Sequence, residues 1–123
     1  MAFVFIAIIL GVLCTLINAE QCGSTAEPIS PFNLEEYLGV WYQIAVNRAF
    51  FDALEADFPN CIYANYTIQS ELPPTVRVEN VGFNDAGQRD EAIGVATQVT
   101  PNTGQLSVSF GSPIPGPYWI IKM

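Results

Sequence analysis

The stretch of sequence that decides the fold reads Asn33-Leu34-Glu35-Glu36-Tyr37-Leu38-Gly39-Val40-Trp41-Tyr42-Gln43-Ile44. Tyr37 and Leu38 are apolar residues directly before Gly39, a residue type that commonly ends a helix. From Trp41 to Val46, aromatic and β-branched residues of the kind that favour strands predominate. We therefore predict a helical turn over 32–38 that breaks at Gly39 and enters a strand with an inward Trp41. A β-barrel closes one of its ends in this way.

The chain begins with an apolar run from Phe3 to Ile17, and polar sequence starts at Asn18. The run is short for a membrane span and has the length of the apolar core of a secretory signal. We predict a signal peptide over 1–19, cleaved after Ala19, and a single secreted, extracellular domain over 20–123. A signal anchor is the alternative.

The net charge is −8, and all four basic residues lie after the predicted signal. Such a balance argues against nucleic acid and against anionic membrane surfaces, both of which need basic patches. The sequence has no histidine, so no metal site is predicted. Cys22 and Cys61 remain in an oxidising compartment, where they could pair with each other or with partners that the sequence does not contain.

Hydrophobic segments separated by turn signals recur at short intervals after residue 60, and no long helical period lies between them. This spacing predicts an all-β, antiparallel up-and-down sheet. Counting the strand after Gly39, six strands are expected, and the last is only begun at the end of the sequence. A barrel that holds one small ligand takes about eight strands. The expectation is therefore an incomplete barrel from a longer chain, or a short form that pairs its free edge with another chain. The five strands predicted after the first one span 61–69, 75–83, 91–99, 105–110 and 118–121.

The connection over 47–60 is long and unusually aromatic, with Phe50, Phe51 and Phe58. Large apolar side chains in a loop need apolar surroundings or a ligand. The segment could fold over the mouth of a cavity, or it could form a short surface helix that packs on the barrel.

Three motifs together resemble the lipocalin family, in the group of apolipoprotein D, Lazarillo and bilin-binding protein: 39–42, 61–67 and 117–120. The resemblance implies that Gly39 and Trp41 close a ligand-binding barrel and that Asn80 is an inward polar residue. It also implies that Cys22 and Cys61 pair with cysteines in a C-terminal part. The enlarged 47–60 connection and the missing C-terminal strands and helix depart from the family pattern.

Strand alternation orients the side chains. The sequon Asn65-Tyr66-Thr67 predicts a glycosylated, outward Asn65, which sends its neighbour Tyr66 inward. Both faces of the fourth strand are apolar, and the family analogy places its small residues Ala92, Gly94 and Ala96 inside, leaving room for a ligand. Tyr118 is expected to point inward near the entrance. The predicted ligand-binding residues are Phe50, Tyr66, Val78, Asn80, Phe110 and Tyr118.

An apolar interior with a few polar tips suits a carrier of a fatty acid, sterol, retinoid or bilin. The aromatic connection could also contact membranes or lipoprotein particles. One alternative is an extracellular interaction glycoprotein of the Lazarillo type. Another is an isomerase that uses a free Cys61, although a reactive cysteine needs a lowered pKa or an adjacent base and the chain has no histidine. No catalytic residue or cofactor is predicted, and the oligomeric state is left open.

Overall fold

The structure is a computed structural model that describes residues 26–123. The predicted signal peptide and Cys22 lie outside the described residues. Two short helices and six strands follow one another along the chain. They are α1 (Leu34–Tyr37), β1 (Gly39–Tyr42), α2 (Arg48–Leu54), β2 (Asn60–Glu71), β3 (Pro74–Phe83), β4 (Arg89–Gln98), β5 (Gln105–Ser109) and β6 (Gly116–Trp119).

The six strands form one antiparallel sheet in which each strand pairs with the next along the chain. The prediction of an all-β up-and-down arrangement is confirmed. Within the described residues β1 and β6 do not pair with each other, so the sheet is open and each of these strands is an edge. Across the first four strands, Trp41 lies opposite Ala64, Ala64 opposite Asn80, and Asn80 opposite Ala92. These four residues therefore form one row across the sheet.

The first strand is shorter than predicted. It starts at Gly39 and ends at Tyr42, whereas the prediction ran from Trp41 to Val46. Gln43 still donates its backbone N–H to the carbonyl of Ile62 at 3.0 Å, but the chain then leaves the sheet and Ile44 is 98% exposed. The residue types favoured a longer strand, but after Gln43 the backbone pairs with no neighbouring strand among the described residues, so the strand ends.

The core lies at the end of the sheet where α1 packs. Its residues come from the segment 26–33 before α1, which we call the N-terminal arm, from α1 and from the inward positions of the strands. The buried members are Phe32, Tyr37, Tyr66, Val76, Val78, Ala96, Leu106 and Ile120. Alternation along β3 buries Val76 and Val78 and turns the intervening Arg77 outward, as predicted. This face supplies the hydrophobic driving force, at roughly 25 cal/mol per Å² buried.

A backbone clasp ties three segments together at this end. The N–H of Ile29 in the arm donates to the carbonyl of Ile120 at 2.7 Å, and the N–H of Gly104 donates to the carbonyl of Ile29 at 2.8 Å. Ile120 in turn donates to the carbonyl of Gly104 at 2.8 Å. The arm, the β4–β5 turn and the residue that follows β6 therefore hold one another at this end of the sheet, on the side away from β1. We call this end the closed end and the opposite end the mouth.

The outward face of β3 and β4 carries an ion-pair ladder. Glu79 accepts from Arg77 at 3.1 Å and from Arg89 at 2.7 Å, and Arg89 also pairs with Glu91. The Arg77 and Arg89 guanidinium groups hold the pKa of the Glu79 carboxyl below its usual range. The ladder lies on the face opposite to the one that carries Val76 and Val78. No helix in the 26–123 range is both long enough and apolar enough to cross a membrane.

Candidate ligand cavity

The predicted closing motif lies at the closed end. Gly39 has a φ of +104°, a conformation that L side chains rarely adopt, and this lets α1 turn directly into β1. Trp41 then donates its indole N–H to the backbone carbonyl of Tyr37 at 2.8 Å and stacks on the Tyr37 ring at a centroid distance of 5.5 Å. The glycine and the tryptophan therefore fix α1 against the sheet. The Trp41 side of the closed end is still open to solvent, because Trp41 is 42% exposed.

Three tyrosines converge above the core, and we call Tyr37, Tyr66 and Tyr118 the tyrosine cluster. The hydroxyl of Tyr118 lies 2.9 Å from the hydroxyl of Tyr37 and 2.9 Å from that of Tyr66. The rings of Tyr37 and Tyr66 pack with their centroids 4.6 Å apart. Burial, and then the hydrogen bond to Tyr118, raise the pKa of both Tyr37 and Tyr66 well above the ordinary tyrosine value. Tyr37 and Tyr66 therefore stay neutral at physiological pH.

These raised pKa values predict an alkaline loss of stability. Above pH 10 the unfolded tyrosines release protons that folded Tyr37 and Tyr66 retain, so stability is complete below about pH 10 and falls as the pH rises further. We expect a loss of about 3 kcal/mol between pH 9 and pH 11, measured by urea unfolding. The Tyr37→Phe/Tyr66→Phe variant should lose less over the same interval. An identical pH slope in both proteins would show that these phenols ionise normally.

A cavity of about 680 Å³ lies above the tyrosine cluster, between the inner faces of the sheet and α2. It has the size of a small-molecule site. Its lining is mostly aromatic and aliphatic, with Glu55 and Lys122 as the charged members. All six residues predicted to bind ligand line this one cavity: Phe50, Tyr66, Val78, Asn80, Phe110 and Tyr118. Their contact with a ligand stays a prediction.

Two expectations about the interior are wrong. Tyr118 was expected near the entrance, but its hydroxyl is bonded to Tyr37 of α1, so Tyr118 forms part of the floor. The small residue Gly94 was expected to leave free space. Instead the ring of Phe110 occupies that space, since a Cβ on Gly94 would lie 2.7 Å from Phe110 Cδ1. Gly94 accommodates a wall residue and does not itself enlarge the cavity.

The connection between β1 and β2 combines both arrangements that the sequence left open. It contains the helix α2, whose N-cap Asn47 accepts from the backbone N–H groups of Ala49 and Phe50. Phe50 lines the cavity although it is 49% exposed. Phe58 packs on β3, with its Cβ 3.2 Å from the position that a Cβ on Gly82 would take. The segment therefore packs on the sheet through Phe58 and borders the cavity through Phe50.

The sequon and the cysteine lie away from the cavity. Asn65 is on the outward side of β2, half-buried between Val40 of β1 and Glu79 of β3. Cys61 is exposed at the start of β2, with a φ of +50° at an irregularity of the β2–β3 register. It has no disulfide partner among residues 26–123. Glycosylation of Asn65 and the pairing of both cysteines stay predictions.

The place of Tyr37 in the lining of the cavity was not predicted from the sequence. Tyr37 stood in the decisive stretch only as an apolar residue before Gly39, and its hydroxyl was given no partner. The available signal was the phenol itself, because a buried tyrosine usually finds a hydrogen-bond partner. The inward polar residues that the sequence offered as partners were Tyr66, Asn80 and Tyr118, so the rule predicts a partner among these three without selecting the two tyrosines.

Comparison with known proteins identifies the family. The family model of the Lipocalin-like domain matches residues 32–123. The chain is 30% identical over 117 residues to the outer membrane lipoprotein Blc of Vibrio cholerae serotype O1, which covers 91% of this chain and 64% of that protein. It is 32% identical over 92 residues to apolipoprotein D of Rattus norvegicus, covering 73% of this chain and 45% of that protein, and equally similar to apolipoprotein D of Mus musculus. The chain thus spans between about half and two thirds of these relatives. By its family match, its motif and its sheet, this chain belongs to the lipocalin family.

Proposed function

We propose that this protein is a secreted carrier that binds a small hydrophobic molecule reversibly in the cavity above the tyrosine cluster. The observation that carries the proposal is the cavity itself, about 680 Å³ in volume and lined by the inner face of a lipocalin sheet. Apolar walls supply the driving force, and a few hydrogen-bonding groups fix the orientation. Fatty acids, sterols, retinoids and bilins all have the required size and polarity.

The position of α2 supports exchange of the ligand with lipid. Phe50 borders the cavity, and Leu54 on the same helix is 72% exposed. Exposed apolar side chains beside a cavity favour contact with a membrane or a lipoprotein particle. Arg48 pairs with Asp52 on this helix at 2.8 Å, which leaves the carboxylate of Glu55 as the uncompensated charge beside it, so an uncharged lipid surface suits it better than an anionic one.

The non-enzymatic assignment is part of the proposal. An isomerase of the kind considered above would need a thiol facing the ligand. Cys61 is exposed and is absent from the lining of the cavity. The tyrosine hydroxyls are bonded to one another, and burial raises the pKa of Tyr37 and Tyr66, so these phenols are suited to binding rather than to nucleophilic attack.

Photochemical labelling tests where the ligand lies. The protein is incubated with a fatty acid that carries a diazirine on its chain, irradiated, and digested for peptide mass spectrometry. We expect label on the inward residues Tyr66, Val78 and Phe110, and its suppression by excess unlabelled fatty acid. Label confined to the outward Ile93 and Val95 on β4, or label that no competitor suppresses, would contradict binding in the cavity.

A further inference from the structure

We propose that the mouth of the sheet docks onto a lipid surface of no net charge, so that the ligand moves between lipid and cavity without crossing water. The docking surface consists of four exposed apolar side chains, Tyr42, Ile44, Leu54 and Ile114, which we call the mouth rim. This inference rests on the proposed carrier function and specifies how the ligand enters and leaves the cavity.

The most exposed apolar side chains of residues 26–123 are concentrated at the mouth. Five large apolar side chains in this range are at least 72% exposed: Tyr42, Ile44, Leu54, Leu72 and Ile114. Four of them form the mouth rim, whereas Leu72, in the β2–β3 turn, lies at the closed end. Single exposed apolar side chains are ordinary on a protein surface, but their concentration at one end indicates an interaction site.

The mouth rim comes from three separate segments that the topology brings to one end of the sheet. β1 runs toward the mouth and ends at Tyr42, and Ile44 follows where the chain leaves the sheet. Leu54 is the last residue of α2, the helix that borders the cavity through Phe50. Ile114 lies in the β5–β6 connection, which follows a strand that runs from the closed end toward the mouth. The rim therefore includes segments that adjoin both edge strands, β1 and β6.

The charges at the mouth disfavour an anionic surface. Arg48 of α2 pairs with Asp52, and Arg89, at the start of β4, pairs with Glu79 and Glu91. Both basic side chains near the mouth in the 26–123 range therefore already have carboxylate partners. The carboxylates of the α2–β2 connection and of the β3–β4 turn form no ion pair among these residues. Such a mouth repels an anionic lipid surface and tolerates a zwitterionic or neutral one.

A lipid surface fits the mouth rim better than a protein partner does. Each partner of a stable protein interface buries roughly 800 Å², which is more than four side chains expose. Lipid needs no matching shape, so each apolar side chain that enters it gains hydrophobic free energy from its own area. The ring and hydroxyl of Tyr42 suit the boundary between acyl chains and headgroups. Docking also places the cavity against the lipid, so the ligand avoids the cost of exposure to water.

Vesicle flotation of the ligand-free protein tests the docking. We expect the unaltered protein to float with phosphatidylcholine vesicles and, at low salt, to bind less to vesicles that also contain anionic phosphatidylglycerol. The Leu54→Gln/Ile114→Thr variant should bind phosphatidylcholine vesicles at least about tenfold more weakly. Neither side chain lines the cavity, so this variant should keep its affinity for a fluorescent fatty acid. Leu72→Gln at the closed end is the matched control and should bind the vesicles within about twofold of the unaltered protein.

Stopped-flow transfer of a fluorescent fatty acid from the protein to phosphatidylcholine vesicles tests the route. If the ligand leaves at the docked mouth, the transfer rate rises with vesicle concentration, and the Leu54→Gln/Ile114→Thr variant is slower than the unaltered protein. A rate that does not change with vesicle concentration would show that the ligand crosses water, and this result overturns the inference.

The outcomes separate this inference from the carrier function. Saturable fatty-acid binding without flotation, or flotation that requires phosphatidylglycerol, overturns the docking and leaves the carrier function intact. If a second copy covers the mouth rim instead, sedimentation shows a dimer that the Leu54→Gln/Ile114→Thr variant converts to a monomer, and the docking is overturned as well. If no fluorescent lipid binds, the carrier function itself fails, and the transfer fails with it.

Discussion

Replacing Gly104 by alanine is expected to lower the free energy of unfolding by about 3 kcal/mol. Gly104 is buried in the clasp of the closed end, where a Cβ would meet the backbone carbonyl of Ile120 and would lie 2.9 Å from Ile29 Cγ2. Because the obstructing carbonyl belongs to backbone that itself bonds Gly104 and Ile29, it cannot move without breaking these hydrogen bonds. Urea denaturation followed by tryptophan fluorescence measures the loss.

Gly116 provides the matched control for this substitution. It is also a glycine at the β5–β6 side of the sheet, but a Cβ there would have no neighbour within 4 Å. Gly116→Ala should change the free energy of unfolding by no more than about 0.5 kcal/mol. Equal losses at the two glycines would mean that the clasp does not hold the closed end together.

The second large effect concerns binding. Ala64→Phe should weaken the binding of a fluorescent fatty acid at least about tenfold, equivalent to about 1.4 kcal/mol. Ala64 lines the cavity on β2, directly between Trp41 of β1 and Asn80 of β3, so a phenyl ring at this position occupies space that the ligand needs. Equilibrium titration gives the dissociation constant of each protein.

The same ring placed on the outward face controls for indirect effects. Ser107 lies on β5 at an outward position, next to the inward Val108, and is absent from the cavity lining. Ser107→Phe should leave the dissociation constant within about twofold of that of the unaltered protein. Equal weakening by both substitutions would indicate a general loss of structure rather than a filled site.

Much of the sheet could be predicted because strand alternation and turn residues act locally. The third predicted segment, 75–83, differs by one residue from β3, which begins at Pro74. The outward Arg77 and the inward Val76 and Val78 follow from a period of two along one strand. The turn from α1 into β1 could be predicted equally well, because a glycine between a helical turn and a strand permits a positive φ, as Gly39 has.

The contacts within the site could not be predicted from the sequence, because they join segments that are distant along the chain. Tyr118 lies 81 residues from Tyr37 and 52 from Tyr66 along the chain, and no local pattern says that their hydroxyls meet. The contact between Gly94 and Phe110 is of the same kind. Small residues were interpreted as empty space, but tertiary packing let a neighbouring ring fill it.

All six predicted ligand-binding residues line one cavity, and the reasons for predicting them differ. Four of them lie on strands and Phe110 directly follows β5. Their inward positions follow from alternation or from the family resemblance, so they face the same cavity. Phe50 belongs to the helix α2, and its place at the cavity could not follow from strand alternation. It was selected because an aromatic side chain in a long connection needs apolar surroundings.

The most direct test of the carrier function is a titration of the unaltered protein with fluorescent fatty acid, retinoid and bilin probes at micromolar concentration. We expect saturable binding of at least one probe, with quenching of tryptophan fluorescence because Trp41 lines the cavity. An unlabelled hydrophobic competitor should displace that probe. If no probe binds at this concentration, the protein is not a carrier of small hydrophobic molecules.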